Sequence, residues 1–259
     1  MFHTCSAYHL LKLVGPTLIS LTDPPVFWDY EDRMLDTISQ LPKLQQLSLW
    51  NAPIDEEQPF HRLVTCDLES LLENASITAL SLERFELIHP IAISGDICSL
   101  ELYRCDMTCG QLKMLLDRSP ALERLLLRNC TFINAYEFYS MSSSLRNLKT
   151  LELIDMFKFP EASPSLERIP HRFLQDFHQL EALHISGNII SPMALLYLPP
   201  RLNFLVLTRT PRLDSGWFGI ALHHLKRRMD IRVVGMKWPK EQEEFLIVSR
   251  HASQRFFMV

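Results

Sequence analysis

The chain predicts an α/β solenoid, with short parallel strands side by side along a concave wall and helices outside it. Three observations carry that expectation. An apolar pattern, L-x-x-L-x-L, recurs along the chain and is clearest as Leu122, Leu125 and Leu127 in L-E-R-L-L-L-R-N-C-T-F. The first strand leucine of each copy, or its aliphatic equivalent, falls at 19, 47, 80, 100, 125, 151, 183, 205 and 231, a mean step of 26.5 residues. Stacked repeats have periods of roughly 20–29 residues, and the two longer steps read as loop insertions. Finally, seven glycines against sixteen prolines leave no glycine-rich βα turns of the kind a doubly wound sheet needs.

Alternate side chains of a strand face opposite ways, so Leu125 and Leu127 turn inward and Leu126 outward. One such segment cannot bury its apolar side alone and needs copies on either side.

Taken in order, the first unit is Ile19 and Leu21 in P-T-L-I-S-L-T-D, followed by a stiff loop at Pro24-Pro25. Asp29–Leu41 carries Met34, Ile38 and Leu41 at helical spacing. Leu47 and Leu49 form the second strand, and His61–Glu73 reads as a helix with Leu63, Cys66, Leu68, Leu71 and Leu72 on its apolar side. Leu80 with Leu82 and Leu100 with Leu102 give two more strands. Thr108 is placed to cap a helix with Leu112, Met114 and Leu115 inward, ended by Ser119-Pro120. Later helices are expected at Ala135–Met141, Pro170–Gln179 and Trp217–Arg228, before strands at Leu151, Leu183, Leu205 and Ile231. The reading is one repeat domain over 1–259 with about nine irregular units, and 238–259 as a C-terminal cap or tail that folds back.

A net charge of −4 with a pI near 6.2 offers no whole-molecule electrostatic case for nucleic acid or anionic membranes as partners. No apolar run approaches the roughly 20 residues of a membrane span, and Lys12 and Pro16 break the N-terminal apolar stretch that a secretory signal would need. The six cysteines fit no metal-ligand spacing and read as reduced structural thiols, which points to cytoplasm or nucleus. His223-His224, and His171 with His178, have no chelating spacing, and no nucleophile elbow or H-E-x-x-H pattern accompanies His184. No catalytic, cofactor or metal residue is assigned, and binding is expected in place of catalysis.

The segments S-P-A-L-E-R-L-L-L-R-N-C (Ser119–Cys130) and L-L-K-L-V-G-P-T-L-I-S-L-T (Leu10–Thr22) resemble leucine-rich repeats of the ribonuclease-inhibitor-like class, especially those of fungal F-box proteins. That family places Asn or Cys three residues after the second strand leucine. Cys105, Cys130, Asn188 and Thr210 match, whereas Ala52, Phe85, Met156 and Met236 do not, so the resemblance implies an irregular solenoid. It further implies the substrate-receptor part of an F-box-type ubiquitin ligase subunit, with an unidentified substrate protein as partner. The repeats begin near Pro16 and no F-box is recognised, so Skp–cullin components are partners only if an F-box is missing from this chain. The alternative is a stand-alone structural or inhibitor-type repeat protein that binds one partner enzyme.

The outward strand positions are the candidate protein-binding residues: Trp50, Glu83, Glu101, Tyr103, Arg124, Arg128, Glu152, Ile154, His184 and Phe204. Exposed aromatic, aliphatic and Arg side chains are typical interface anchors, and Arg124, Arg128, Tyr103 and Phe204 form the expected centre. Opposite charges on adjacent strands can also simply pair with one another.

Overall fold

In a computed structural model, the residues described are 11–22, 25–26, 31–51, 63–72, 76–89, 97–130, 135–156, 172–187, 192–209, 220, 229–235 and 254–258. They group into two compact units, Met1–Leu122 and Glu123–Val259.

In the first unit β1 (Ser20–Leu21), β3 (Gln46–Asn51), β5 (Ala79–Glu83) and β7 (Ser99–Tyr103) lie side by side and parallel. β2 (Pro25–Val26) also pairs with β3. Leucines align across the strands, Leu47 with Leu80 and Leu80 with Leu100. All of them are 2% exposed or less, because each shields the next. The first unit departs from the expected register. Leu21, not Ile19, stands opposite Leu47, and Ile19 is 55% exposed. Both apolar residues satisfy the alternation, but backbone pairing selects the later one: the amides of Gln45 and Gln46 both donate to the Ile19 carbonyl, at 2.8 and 3.1 Å.

That doubled bond recurs. The amides of Thr78 and Ala79 share the Gln45 carbonyl, and those of Cys98 and Ser99 share the Thr78 carbonyl. In the second unit the Glu123, Lys149 and Glu181 carbonyls each accept two amides in the same way. Here β8 (Arg124–Arg128), β9 (Thr150–Ile154), β10 (Ala182–Ser186), β11 (Phe204–Thr208) and β12 (Met229–Val234) run parallel in chain order. Leu125, Leu151, Leu183, Leu205 and Ile231 make one buried row. Within the expected cap 238–259, Gln254–Met258 forms β13, parallel to β12. That piece is one more rung; the rest lies outside the described residues.

Among the described residues the wall strands β5 and β7 to β12 each end in a left-handed turn. Arg84, Arg104, Asn129, Asp155 and Arg209 have φ between 48° and 64°, and Gly187 and Gly235 stand at the equivalent places with φ 87° and 69°. This conformation bends the chain off the wall and sends the next residue inward. Phe85, Cys105, Cys130 and Met156 follow it and are 2% exposed or less. The Cys105 thiol donates to the Leu82 carbonyl at 3.2 Å, and the Cys130 thiol to the Arg128 carbonyl at 3.5 Å. Phe85 and Met156 fill the same space without a polar group. In the second strand Asn51 does this work one residue early, its Nδ2 donating to the Arg84 carbonyl at 2.8 Å. Ala52, Asn188, Thr210 and Met236 lie outside the described residues.

Away from the wall the connections vary. The helix Glu31–Ser39 lies within Asp29–Leu41. Of the expected helix His61–Glu73, residues 63–72 are described: Val64–Asp67 is a strand, β4, in place of helix, and Leu68–Leu72 is helical. Val64 and Thr65 favour the extended chain, and β4 gains a parallel partner in β6 (Phe85–Ile88). The Asp67 carboxylate then accepts from the Glu69 amide and starts the short helix. Cys66, 0% exposed in β4, has its thiol pushed up to about 12 by burial, with the Asp67 charge adding. It is a packing residue.

The helix Cys109–Asp117 carries the full capping box, with Thr108 Oγ1 accepting from the Gln111 amide and Gln111 Oε1 accepting from the Thr108 amide. Its buried face is Leu112, Leu115 and Leu116; Met114, expected inward, is 37% exposed. Ala135–Ser140 is helical as expected. Within Pro170–Gln179 the described residues 172–179 hold the 3-10 turn Phe173–Asp176 in place of an α-helix, and Phe173 and Phe177 meet edge to face at 4.9 Å. Trp217–Arg228 lies outside the described residues apart from Ile220.

Candidate binding walls

The alternation that buries the leucines turns every second strand residue to the opposite face. In the first unit three rows cross β3, β5 and β7: Gln46–Ala79–Ser99, Ser48–Ser81–Glu101 and Trp50–Glu83–Tyr103. Small side chains in the first two rows leave a depression of about 180 Å³, lined by Gln46, Ser48, Ala79, Ser81, Ser99 and Glu101 among others. The third row is its aromatic and acidic border. Trp50 is 39% exposed, the Tyr103 hydroxyl donates to Glu101 Oε2 at 3.1 Å, and Glu83 lies 3.9 Å from Arg84 Nε.

In the second unit the rows are Arg124–Thr150–Ala182–Phe204–Asp230 and Leu126–Glu152–His184–Val206–Arg232; Arg128 with Ile154, and Ser186 with Thr208 and Val234, form the third. Glu152 is its hub. Arg124 Nη2 donates to Glu152 Oε1 at 3.2 Å, His184 Nδ1 lies 3.5 Å from Glu152 Oε2, and His184 Nε2 lies 3.1 Å from Thr208 Oγ1. The His184 hydrogen bond, with the Arg124 charge helping, holds the Glu152 carboxyl below the usual carboxylate range against its own burial. The Arg232 guanidinium stacks over the Phe204 ring at 5.1 Å.

The ten expected residues therefore all stand on outward strand positions, divided between two walls. Trp50, Glu83, Glu101 and Tyr103 belong to the first unit, and Arg124, Arg128, Glu152, Ile154, His184 and Phe204 to the second. Of the expected centre, Tyr103 is on the first wall and Arg124, Arg128 and Phe204 are on the second. Cross-strand pairing, weighed as the competing role, engages Arg124, Glu152 and His184. Leu126 faces outward in register yet is only 5% exposed, so it packs into the wall instead of meeting water.

The ten candidates leave out Thr208 and Arg232, which strand parity already turns outward, and Asp155. Asp155 Oδ1 accepts from the Ser186 hydroxyl at 2.8 Å. Asp155 owes its place to the left-handed turn, which leaves no mark in the sequence. His178 is exposed in a turn, and His171, His223 and His224 lie outside the described residues. Among the described residues no cluster of His, Cys, Asp and Glu could hold a metal ion, and no helix is long and apolar enough to cross a membrane.

No protein-family model and no curated protein matches the chain. Among solved structures it is similar to a chain in the crystal structure of the Rad7 and Elc1 complex in yeast, at 15% identity and a TM-score of 0.49. The match covers 88% of this chain and 66% of that one, so this chain spans just under two thirds of its neighbour's length.

Proposed function

We propose that the chain is a leucine-rich repeat solenoid that binds a protein partner on its strand walls, and that it serves as the substrate-receptor part of an F-box-type ubiquitin ligase subunit in the cytoplasm or nucleus. The observation that carries the binding role is the set of in-register outward rows bearing Trp50, Tyr103, Ile154, Phe204 and Val206. Apolar and aromatic side chains fixed on a rigid sheet face have little reason to be there unless a partner covers them. The ligase assignment rests on the resemblance of Leu10–Thr22 and Ser119–Cys130 to F-box protein repeats.

Binding is favoured over catalysis for a physical reason. Glu152, His184 and Thr208 have the connectivity of a nucleophile relay. Parallel pairing of β10 with both neighbours, however, uses the local strand amides, leaving none to hold an oxyanion. Glu152 is also shared with Arg124.

The test is affinity capture from cells followed by mass spectrometry, with wild type against Arg128→Glu combined with Phe204→Ala. Capture of one partner set, lost in the double variant at nearly unchanged thermal unfolding, is the expected result. Ligase components in that set support the receptor role; a single stoichiometric enzyme points to the inhibitor-type alternative. Unaltered capture by the double variant removes the second wall from the binding surface.

A further inference from the structure

We infer that His184 is a proton switch in the second wall, one that reverses the hydrogen-bonding polarity the Thr208 hydroxyl presents to a partner. As regulation of a binding surface the inference rests on the proposal above, but the switch is a property of this chain alone and can be tested without a partner.

The neutral ring has one tautomer that satisfies both neighbours. His184 Nδ1 lies 3.5 Å from Glu152 Oε2, and Nε2 lies 3.1 Å from Thr208 Oγ1. A neutral imidazole carries one N–H and one lone pair, and an ionised carboxylate can only accept. Glu152, paired also with Arg124, stays ionised, so the ring proton sits on Nδ1 and donates to it. The lone pair of Nε2 then faces Thr208, whose hydroxyl donates to the ring. With its hydrogen committed there, the hydroxyl shows only lone pairs to the open face, and the wall accepts a hydrogen bond at that point.

Protonation puts a second N–H on the ring, at Nε2. Two hydrogens cannot share a 3.1 Å contact, so the hydroxyl turns about its C–O bond: Oγ1 accepts from the ring and its hydrogen points outward. No backbone moves. Thr208 is half-buried on an outward position between Ser186 and Val234, and the His184 side chain is 27% exposed, so water reaches the pair. Glu152 on β9 and Arg124 on β8 lie to one side of the ring. Asp230 and Arg232 on β12 lie beyond β11 on the other, and Asp155 and Arg209 occupy the turns after β9 and β11. β10 and β11 themselves turn no other charged residue outward. Across the outward strand positions three arginines, Arg124, Arg128 and Arg232, stand against Glu152 and Asp230, so the net charge is +1 and a charged His184 makes it +2. The acid form therefore offers a donor and a cation together, which suits a carboxylate of the partner. The neutral form offers neither.

The experiment is a ring-nitrogen NMR titration of the isotope-labelled full chain between about pH 5 and 8, where histidine changes charge. At the neutral end the His184 proton should sit on Nδ1, the reverse of a free histidine side chain in water, which favours Nε2. Thr208→Val separates the two hydroxyl orientations. A hydroxyl that turns gives the charged ring an acceptor, and charge-assisted bonds are the stronger, so its loss should lower the midpoint of the ring's titration by about 0.5 pH unit. Thr208→Ser should restore it. A hydroxyl that stays pointed at the ring opposes the added proton, and its loss would raise the midpoint. A proton on Nε2 in the neutral chain, or a raised midpoint in Thr208→Val, overturns the inference. For the partner set retained by affinity capture, binding should be at least about threefold tighter at the acid end. His184→Gln should abolish that difference and Thr208→Val should reduce it. A pH dependence that Thr208→Val leaves whole is an effect of charge alone and also overturns the inference. Capture that stays sensitive to Arg128 while these tests fail sinks the switch and spares the binding proposal; the expected ring titration without any capture does the converse.

Discussion

Replacing Gly187 by Ala isolates the energetic cost of the left-handed turns. Gly187 has φ 87°, and a Cβ built there would meet nothing within 4 Å, so no clash enters. What remains is the penalty for an L side chain in this region, about 1–2 kcal/mol. The lower entropy of the unfolded alanine chain offsets about 0.5–1 kcal/mol of it. Gly187→Ala should therefore destabilise by roughly 0.5–1 kcal/mol. The converse holds at Arg104, an exposed side chain at φ 51° in the equivalent turn, where Arg104→Gly should stabilise by a similar amount. For a chain of this size each kcal/mol moves Tm by about 2–4 °C. Paired calorimetry and urea titration can read both changes. Gly235→Ala, whose Cβ would sit at an ordinary 3.5 Å from Arg209 Cγ, should follow Gly187 in sign. Shifts of the same sign at Gly187 and Arg104 would refute the argument that conformation, not contact, sets the energy of these turns.

Two further outcomes follow from the second wall. Leu126→Ala should cost about 2–3 kcal/mol, as for a core leucine, because the side chain is 5% exposed; a loss under about 0.5 kcal/mol, normal for surface positions, would show that water reaches it. Glu152→Gln should cost about 0.5 kcal/mol at neutral pH. The carboxyl's folded pKa is lowered, so its contribution is complete above the ordinary carboxylate range and fades as pH falls through the folded value. The Tm gap between wild type and variant should then close in acid, and a gap that widened there would contradict the assigned pairing.

The wall strands were legible because two constraints coincide in them. Leucines at every second place satisfy the strand period, and their recurrence satisfies stacking, so Leu47–Leu49 and Leu205–Leu207 could be placed from sequence. Where only one constraint acted, the reading slipped. Ile19 and Leu21 both obey the alternation, and the backbone ladder decides for Leu21. Leu63, Cys66, Leu68 and Leu71 have helical spacing, but β-branched Val64 and Thr65 and the presence of β6 make the first part a strand. The left-handed turns were invisible because Arg, Asn, Asp and Gly all occupy them. Of the candidate site, the facing of each residue was readable from strand parity. The partners were not: Thr208 reaches His184, and Arg232 reaches Phe204, across strands 24 and 28 residues apart in the chain.

The strand ladder also says which genetic changes the chain can absorb. Leu47, Leu80 and Leu100 stand opposite one another although 33 and 20 residues separate them in sequence, so connections of unequal length deliver the rungs to the same register. Codons gained or lost between rungs should therefore leave that register intact. A single codon inserted within a rung would swap inner for outer side chains along the rest of that strand and put leucine into water. Descendants of this gene should accordingly drift in connection length while each rung keeps its count.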